Sequence, residues 1–125
     1  MVETQDELKT EIGNEEAVVL KPATVKVLNI TIEEVGEKKA KKAVFEVKHP
    51  DSVEPIHISG MKYEMKGQLK VVGTWINKDS KGLIRKGSAL AILIQTYTCK
   101  TVEELKGKEI PTILDEKGYL VFKVY

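Results

Sequence analysis

The alternation of apolar and polar residues predicts that the ordered part of the chain begins with a β-hairpin. Residues 23–35 (ATVKVLNITIEEV) are rich in β-branched side chains and partly apolar on both faces, which predicts a long, well-covered strand. Residues 36–42 are typical of a turn, and residues 43–47 (AVFEV) of the partner strand.

Prolines and polar residues at positions 50–55 interrupt this pattern, and shorter elements follow. Residues 56–58 (IHI) predict a short strand that ends at Gly60, whereas residues 69–76 (LKVVGTWI) predict a stronger one. The polar residues 77–82 then form a turn. We take 69–76 as the third main strand.

One main helix is predicted from Ser88, a good N-cap, to Tyr97, because the apolar residues between them recur at helical spacing. A second, short helix begins at the capping box of residues 101–104. The chain then ends as a hairpin with strands at residues 108–114 and 119–125.

The resulting order of elements is β-β-β-α-β-β, carried by the segments ATVKVLNITIEEV, AVFEV, LKVVGTWI, SALAILIQTYT, KEIPTIL and YLVFKVY. This order resembles the OB-fold, a five- to six-stranded Greek-key barrel that is mostly β with one main helix. The resemblance covers residues 22–125 and departs from a minimal barrel at residues 56–63. The part from GTWINKDSKG to DEKGYLVFKVY is also similar to small single-strand-binding proteins of archaea and their viruses.

Length and composition favour one soluble domain. A chain of 125 residues with 42% hydrophobic and 31% charged residues is typical of a single globular domain, which we place at residues 21–125. No apolar run is long enough to span a membrane, and the N-terminus lacks the pattern of a secretory signal. The single cysteine, Cys99, indicates a reducing compartment, so we expect a cytoplasmic protein.

Charge is unevenly distributed along the chain. Residues 1–20 have a net charge of −5 and are predicted to form an acidic, mobile tail or a frayed helix, whereas residues 62–108 have a net charge of +6. Such asymmetry is found in proteins that bind polyanions, but lysines also keep exposed strands soluble, and the sequence leaves both interpretations open. The abundance of Lys and Glu indicates a thermophilic source, although an AT-rich genome also supplies lysines.

Candidate catalytic and metal-binding residues are few. The two histidines, His49 and His57, and Cys99 have no paired spacing, so we expect no metal site and no cofactor. Residues 82–88 (GLIRKGS) are either an anion-binding entry to the helix or an ordinary loop. An enzyme that acts on a small anion near Arg85 is the least favoured function, and we predict no enzymatic activity.

The resemblance to OB-folds implies binding of single-stranded DNA or RNA across the second and third strands and the two loops beside them. A basic loop beside aromatic residues suits phosphate attraction and base stacking. Because the chain has one arginine, base readout and sequence specificity are expected to be weak. The implied binding residues are Lys38, Lys39, Lys41 and Lys42 in the first loop, Phe45, Lys48, Lys70 and Trp75 on the strands, and Lys117 and Tyr119 in the second loop.

Two alternatives stay open. Trp75 and Phe45 are as typical of a core as of a stacking surface. The alternative function is a protein-interaction or assembly module. In it, the exposed side of the last strand (Tyr119, Val121 and Tyr125) forms a homodimer or binds a protein partner by edge pairing.

Overall fold

The computed structural model describes residue 11 and residues 20–125, and the predicted acidic tail at residues 1–20 otherwise lies outside the described residues. The described part is mostly β. Its elements are β1 (Val25–Val35), β2 (Ala40–Lys48), β3 (Ile56–Ile58), β4 (Gly60–Met65), β5 (Gln68–Gly73), α1 (Ala89–Thr96), a 3-10 turn (Glu103–Leu105), β6 (Glu109–Ile110), β7 (Thr112–Leu114) and β8 (Leu120–Val124).

The strands form two four-stranded sheets, in the orders β3-β2-β1-β6 and β5-β4-β8-β7. Neighbouring strands are antiparallel except β4 and β8, which are parallel. Only Ser59 separates β3 from β4, and only Pro111 separates β6 from β7, so two continuous segments cross from one sheet to the other. The result is a strongly curled, half-barrel arrangement.

The mostly β class with one main helix is confirmed within the described residues, but the predicted order is not reproduced in detail. Five strands precede the helix instead of three, and three follow it instead of two. The predicted helix from Ser88 is confirmed: the Ser88 hydroxyl accepts a hydrogen bond from the Ala91 N–H at 3.3 Å, as an N-cap does. The predicted second helix is only the 3-10 turn, which buries Leu105.

A β-bulge at Leu28 changes the alternation within β1. Val27 pairs with Val47, but the next pair is Asn29 with Glu46, so Leu28 is an extra residue. Beyond it Ile30 joins the core side, which explains why the sequence is apolar on both faces. The prediction of a well-covered strand is wrong for residues 31–35, which are exposed because this end of the β1–β2 hairpin extends past the core.

The segment between β3 and α1 differs most from the sequence prediction. Residues 60–73 form a hairpin of β4 and β5 instead of a single strand at 69–76. Its two-residue turn is Lys66-Gly67, and both residues have positive φ (51° and 77°), as a type I′ turn requires. The chain then returns to β2, where the Ala43 N–H donates to the Thr74 carbonyl at 2.9 Å.

The core lies between the two sheets and the helix. Phe45 of β2 and Phe122 of β8 are both fully buried, and their rings meet edge to face with centroids 5.1 Å apart. Leu90 and Leu93 close this core from α1, and each is fully buried. The sheets therefore present their other sides, and the turns between strands, to solvent.

Candidate nucleic-acid interface

An open cleft lies on the outward side of the sheets, where β2, β3 and β5 meet the turn between β7 and β8. Its volume is about 520 Å³. A second depression of about 510 Å³ continues it along β4 and β5 and shares Val71, Asp115 and Lys117 with it. We call the two together the outer cleft; its side chains include Lys42, His57, Lys62, Leu69, Val71, Asp115, Glu116, Lys117 and Tyr119.

The turn from Asp115 to Tyr119 is held in one conformation by its own hydrogen bonds. The Asp115 carboxylate accepts the N–H groups of Lys117 and Tyr119, both at 2.9 Å. The Asp115 N–H donates to the Tyr119 carbonyl at 2.8 Å, and Gly118 has φ +86°. The Asp115 carboxylate therefore binds backbone N–H groups of its own turn. Lys117 and Tyr119 of this turn are exposed beside the cleft.

Trp75 lies next to the outer cleft and contacts Lys42. The two residues face each other in an antiparallel bridge, and the Lys42 Nζ is 5.0 Å from the centroid of the indole. A Cβ at Gly73 would lie 2.7 Å from the indole Nε1, so the ring needs a glycine there. Trp75 is half-buried, which places it between the two interpretations that the sequence left open.

A separate depression of about 450 Å³ is lined in part by Trp75. We call it the basic pocket. It is lined by Ala40, Lys41, Trp75, Ile76, Asn77, Lys78 and Arg85.

The structure brings together Lys42, Lys117 and Tyr119 from the predicted set, in the outer cleft. Lys41 and Trp75 line the basic pocket, and Trp75 also contacts Lys42 of the outer cleft. Two further predicted residues, Lys38 and Lys39, are exposed in the turn between β1 and β2 but do not line either site.

Three predicted residues are not on the expected surface. Phe45 is fully buried in the core, because odd-numbered residues of β2 face inward. The Lys48 Nζ lies at the other end of β2, where it donates to the carbonyls of Ser52 and Val53. Lys70 pairs with the buried Tyr63 across β4 and β5, so it lies on the opposite face from the residues of the cleft.

Sequence reasoning missed six of the cleft side chains named above: Asp115 and Glu116 of the turn, and His57, Lys62, Leu69 and Val71. Three of them belong to the β4–β5 hairpin. The available signal was Gly67 between two segments of alternating apolar and polar residues, since glycine is favoured at the second position of a two-residue hairpin turn.

Edge pairing by the last strand is ruled out by the sheet order. β8 has a neighbour on each side, β4 and β7, so its backbone offers no free edge. Val121, predicted for the exposed side, is also buried. The end strands of this sheet are β5 and β7, and β5 carries Leu69 and Val71 with 49% and 42% of their surface exposed.

His49 and Tyr97 are the other titratable residues with a notable environment among residues 20–125, and neither lines the outer cleft. Both ring nitrogens of the buried His49 have a hydrogen-bond partner: its Nε2 lies 2.7 Å from the Lys21 carbonyl, and its Nδ1 accepts the Asp51 N–H at 3.0 Å. Burial raises the pKa of the Tyr97 hydroxyl, at the end of α1. Within the described residues, no group of three His, Cys, Asp or Glu side chains is placed to hold a metal ion.

Comparisons with known proteins give no relative. Neither a protein-family model, a curated protein nor a solved structure matches the chain. Among residues 20–125, no helix combines the length and apolar character that crossing a membrane requires. The functional argument therefore rests on the chain's own residues.

Proposed function

We propose that the protein is a non-enzymatic module that binds single-stranded DNA or RNA along the outer cleft, with weak sequence specificity. One observation carries the proposal: Lys42 of β2 and Lys117 and Tyr119 of the β7–β8 turn are far apart in sequence but line the same open cleft. Lysines attract the phosphate backbone, and an exposed aromatic ring stacks on a base of any identity.

The strand connections support an OB-type barrel as the scaffold of this proposal. If β3 and β4 count as one bent strand, and β6 and β7 as another, the pairing runs from β1 through β2, β3–β4 and β8 to β6–β7 and back to β1. The helix then precedes the fourth of five strands, as in OB-folds, and β5 is an additional strand.

The charges in the outer cleft support binding that depends strongly on salt. Lys42, Lys62 and Lys117 lie on it, whereas its two acids, Asp115 and Glu116, belong to the turn. The Asp115 carboxylate already accepts two backbone N–H groups. No arginine lines the cleft to read a base edge with two hydrogen bonds, so phosphate contacts and stacking dominate.

Fluorescence of Trp75, the only tryptophan, tests the proposal during titration with a short oligo-dT at low and moderate salt. We expect a fluorescence change, because a phosphate that attracts Lys42 moves its ammonium relative to the indole, and we expect affinity to fall as salt rises. Anisotropy of a labelled oligonucleotide measures binding independently of Trp75. No binding by either readout at low salt overturns the proposal.

A double variant locates the binding surface. Lys42→Gln with Lys117→Gln removes two charges from the cleft and should lower affinity and its salt dependence. The matched control is Lys106→Gln with Lys108→Gln, which removes two exposed charges that lie on neither the outer cleft nor the basic pocket. Equal affinities of the two double variants would place binding elsewhere.

A second candidate function is assembly of two copies along β5. The observation that favours it is the unpaired edge of β5 with its exposed Leu69 and Val71. Light scattering at high protein concentration should then show a dimer, and Leu69→Lys should make it monomeric. The new lysine would face Glu64, the register partner of Leu69, so the hairpin should remain folded. A monomeric wild-type protein rejects this candidate.

A further inference from the structure

The basic pocket combines three cationic residues with an aromatic ring, and among residues 20–125 no acidic residue lines it. Lys41, Lys78 and Arg85 surround it, and Trp75 forms one wall. Arg85 is the only arginine of the chain. Its planar guanidinium suits a phosphate group better than a lysine ammonium does, because it donates two parallel hydrogen bonds.

Backbone hydrogen bonds hold the walls of this pocket in place. The Ile76 N–H donates to the Lys41 carbonyl at 2.9 Å, and the Arg85 N–H donates to the Asn77 carbonyl at 2.8 Å. The Arg85 Nη2 also donates to the Lys78 carbonyl at 3.2 Å, which orients the guanidinium and uses one of its five N–H donors. Less side-chain freedom is therefore lost when an anion binds.

Neighbouring acids reduce this positive charge only in part. Glu34 is the register partner of Lys41 across β1 and β2, so it offsets some of the Lys41 charge. The Asp79 carboxylate instead accepts the N–H groups of Lys81 and Leu83, at 2.9 and 3.0 Å. Lys78 and Arg85 therefore contribute most of the attraction for an anion.

Trp75 connects the basic pocket to the outer cleft. Its indole lines the pocket, while Lys42, whose ammonium lies 5.0 Å from the ring centroid, lines the cleft. Trp75 therefore contacts a lining residue of the cleft and lines the pocket itself, and the proposal below requires a bound strand to pass from Lys42 to Trp75. The pocket volume of about 450 Å³ falls in the range of small-ligand sites.

We propose that the basic pocket binds one nucleotide of the strand, with its base against Trp75 and its phosphate held by Arg85 and Lys78. This inference rests on the proposed function, because it places the nucleotide at one end of the bound strand. It adds one defined nucleotide site to a cleft whose other proposed contacts, phosphate attraction and stacking, do not depend on the register of the strand.

Arg85→Gln tests the anchor, with Lys86→Gln as the matched control. Lys86 is the next residue in the chain and is exposed, but it does not line the pocket. We expect Arg85→Gln to weaken oligo-dT binding about ten-fold, as the loss of a charge-assisted contact does, and Lys86→Gln to leave affinity unchanged. Lys78→Gln, which leaves the Arg85–Lys78 carbonyl bond intact, should weaken binding in the same direction.

Titration of Trp75 fluorescence with dTMP, thymidine and inorganic phosphate identifies the ligand chemistry. We expect dTMP to quench at lower concentration than either part alone, and Arg85→Gln to abolish that preference for dTMP. Equal responses to dTMP and phosphate overturn the role of base stacking.

The two proposals fail in different ways. If oligo-dT binds and Arg85→Gln binds it equally well, the pocket anchor is wrong and the cleft remains the binding site. If oligo-dT does not bind but dTMP does, and Arg85→Gln abolishes this, the nucleotide pocket is supported and single-strand binding is rejected.

Discussion

Two turns of this protein share one sequence pattern, Asp-x-Lys-Gly followed by an apolar residue, at residues 79–83 and 115–119. Their hydrogen bonds are the same: the aspartate carboxylate accepts the N–H groups two and four residues later at 2.9–3.0 Å. The glycines, Gly82 and Gly118, have φ of +80° and +86°. Local sequence therefore determines the backbone of both turns.

The surroundings of the two turns differ. Lys117 and Tyr119 lie on the outer cleft beside Lys42, because β7 and β8 bring their turn next to β2 and β5. Lys81 and Leu83 line neither the outer cleft nor the basic pocket, although Leu83 is 62% exposed. The comparison teaches that the pattern specifies a turn and the strand topology specifies what the turn can bind.

The largest expected effect falls on both turns alike. Asp79→Ala and Asp115→Ala each remove an acceptor of two charge-assisted hydrogen bonds, so each should lower the free energy of unfolding by about 3 kcal/mol. Urea denaturation with an unchanged m-value measures this. A large loss of unfolding free energy for one variant and none for the other would show that the two turns are not stabilised in the same way.

The second effect should separate the turns. Tyr119→Ala should weaken oligo-dT binding by about 2 kcal/mol, roughly thirty-fold, because a stacking ring is lost. Leu83→Ala should bind as the wild type does, and Tyr119→Phe should retain most of the affinity. Anisotropy titration of the three variants decides, and a similar loss in both alanine variants would remove Tyr119 from the proposed site.

A smaller effect on stability is expected from the glycine that the two turns share. Gly82→Ala and Gly118→Ala place a side chain at positive φ, which should lower stability by about 1 kcal/mol in each turn. A Cβ at either position meets no atom within 4 Å, so strain of the backbone is the only cause. Thermal unfolding checks the size, and asparagine at either position should lose less.

The smallest effect concerns charge. Lys117→Gln should reduce the slope of log affinity against log salt by about 0.7, the value for one phosphate contact on a single strand. Lys81→Gln should leave the slope unchanged, since it lies outside both sites. Equal slopes in the two variants would indicate a diffuse attraction instead of a contact at Lys117.

Elements with local signals were predictable from the sequence. The Ser88 N-cap, the β1–β2 hairpin and the turn at 115–118 each depend on residues close together in the chain. The parallel pairing of β4 with β8 joins Met61 to Phe122 and has no local signal. The β4–β5 hairpin was missed because Lys66 stands in a turn position where Asn or Asp is the familiar choice.

The candidate site was only partly predictable, and residue parity explains why. Lys42 and Phe45 are three positions apart on one strand, so they cannot share a face, and the burial of Phe45 follows. Lys70 stands in a predicted strand, but the face on which it lies depends on its partner, Tyr63, which the sequence does not identify. A shift of the strand register by one residue would place Lys70 in the cleft where Val71 now lies.

The strand pairings also set an order for folding. Three hairpins, β1–β2, β4–β5 and β7–β8, pair neighbouring segments and need little loop closure. The contact between β1 and β6 spans most of the described chain, and beside it the Thr112 hydroxyl bonds to the Ala23 backbone across 89 positions. We expect this closure to be the slow step of folding, because it joins segments far apart in the chain whereas the hairpins join neighbours.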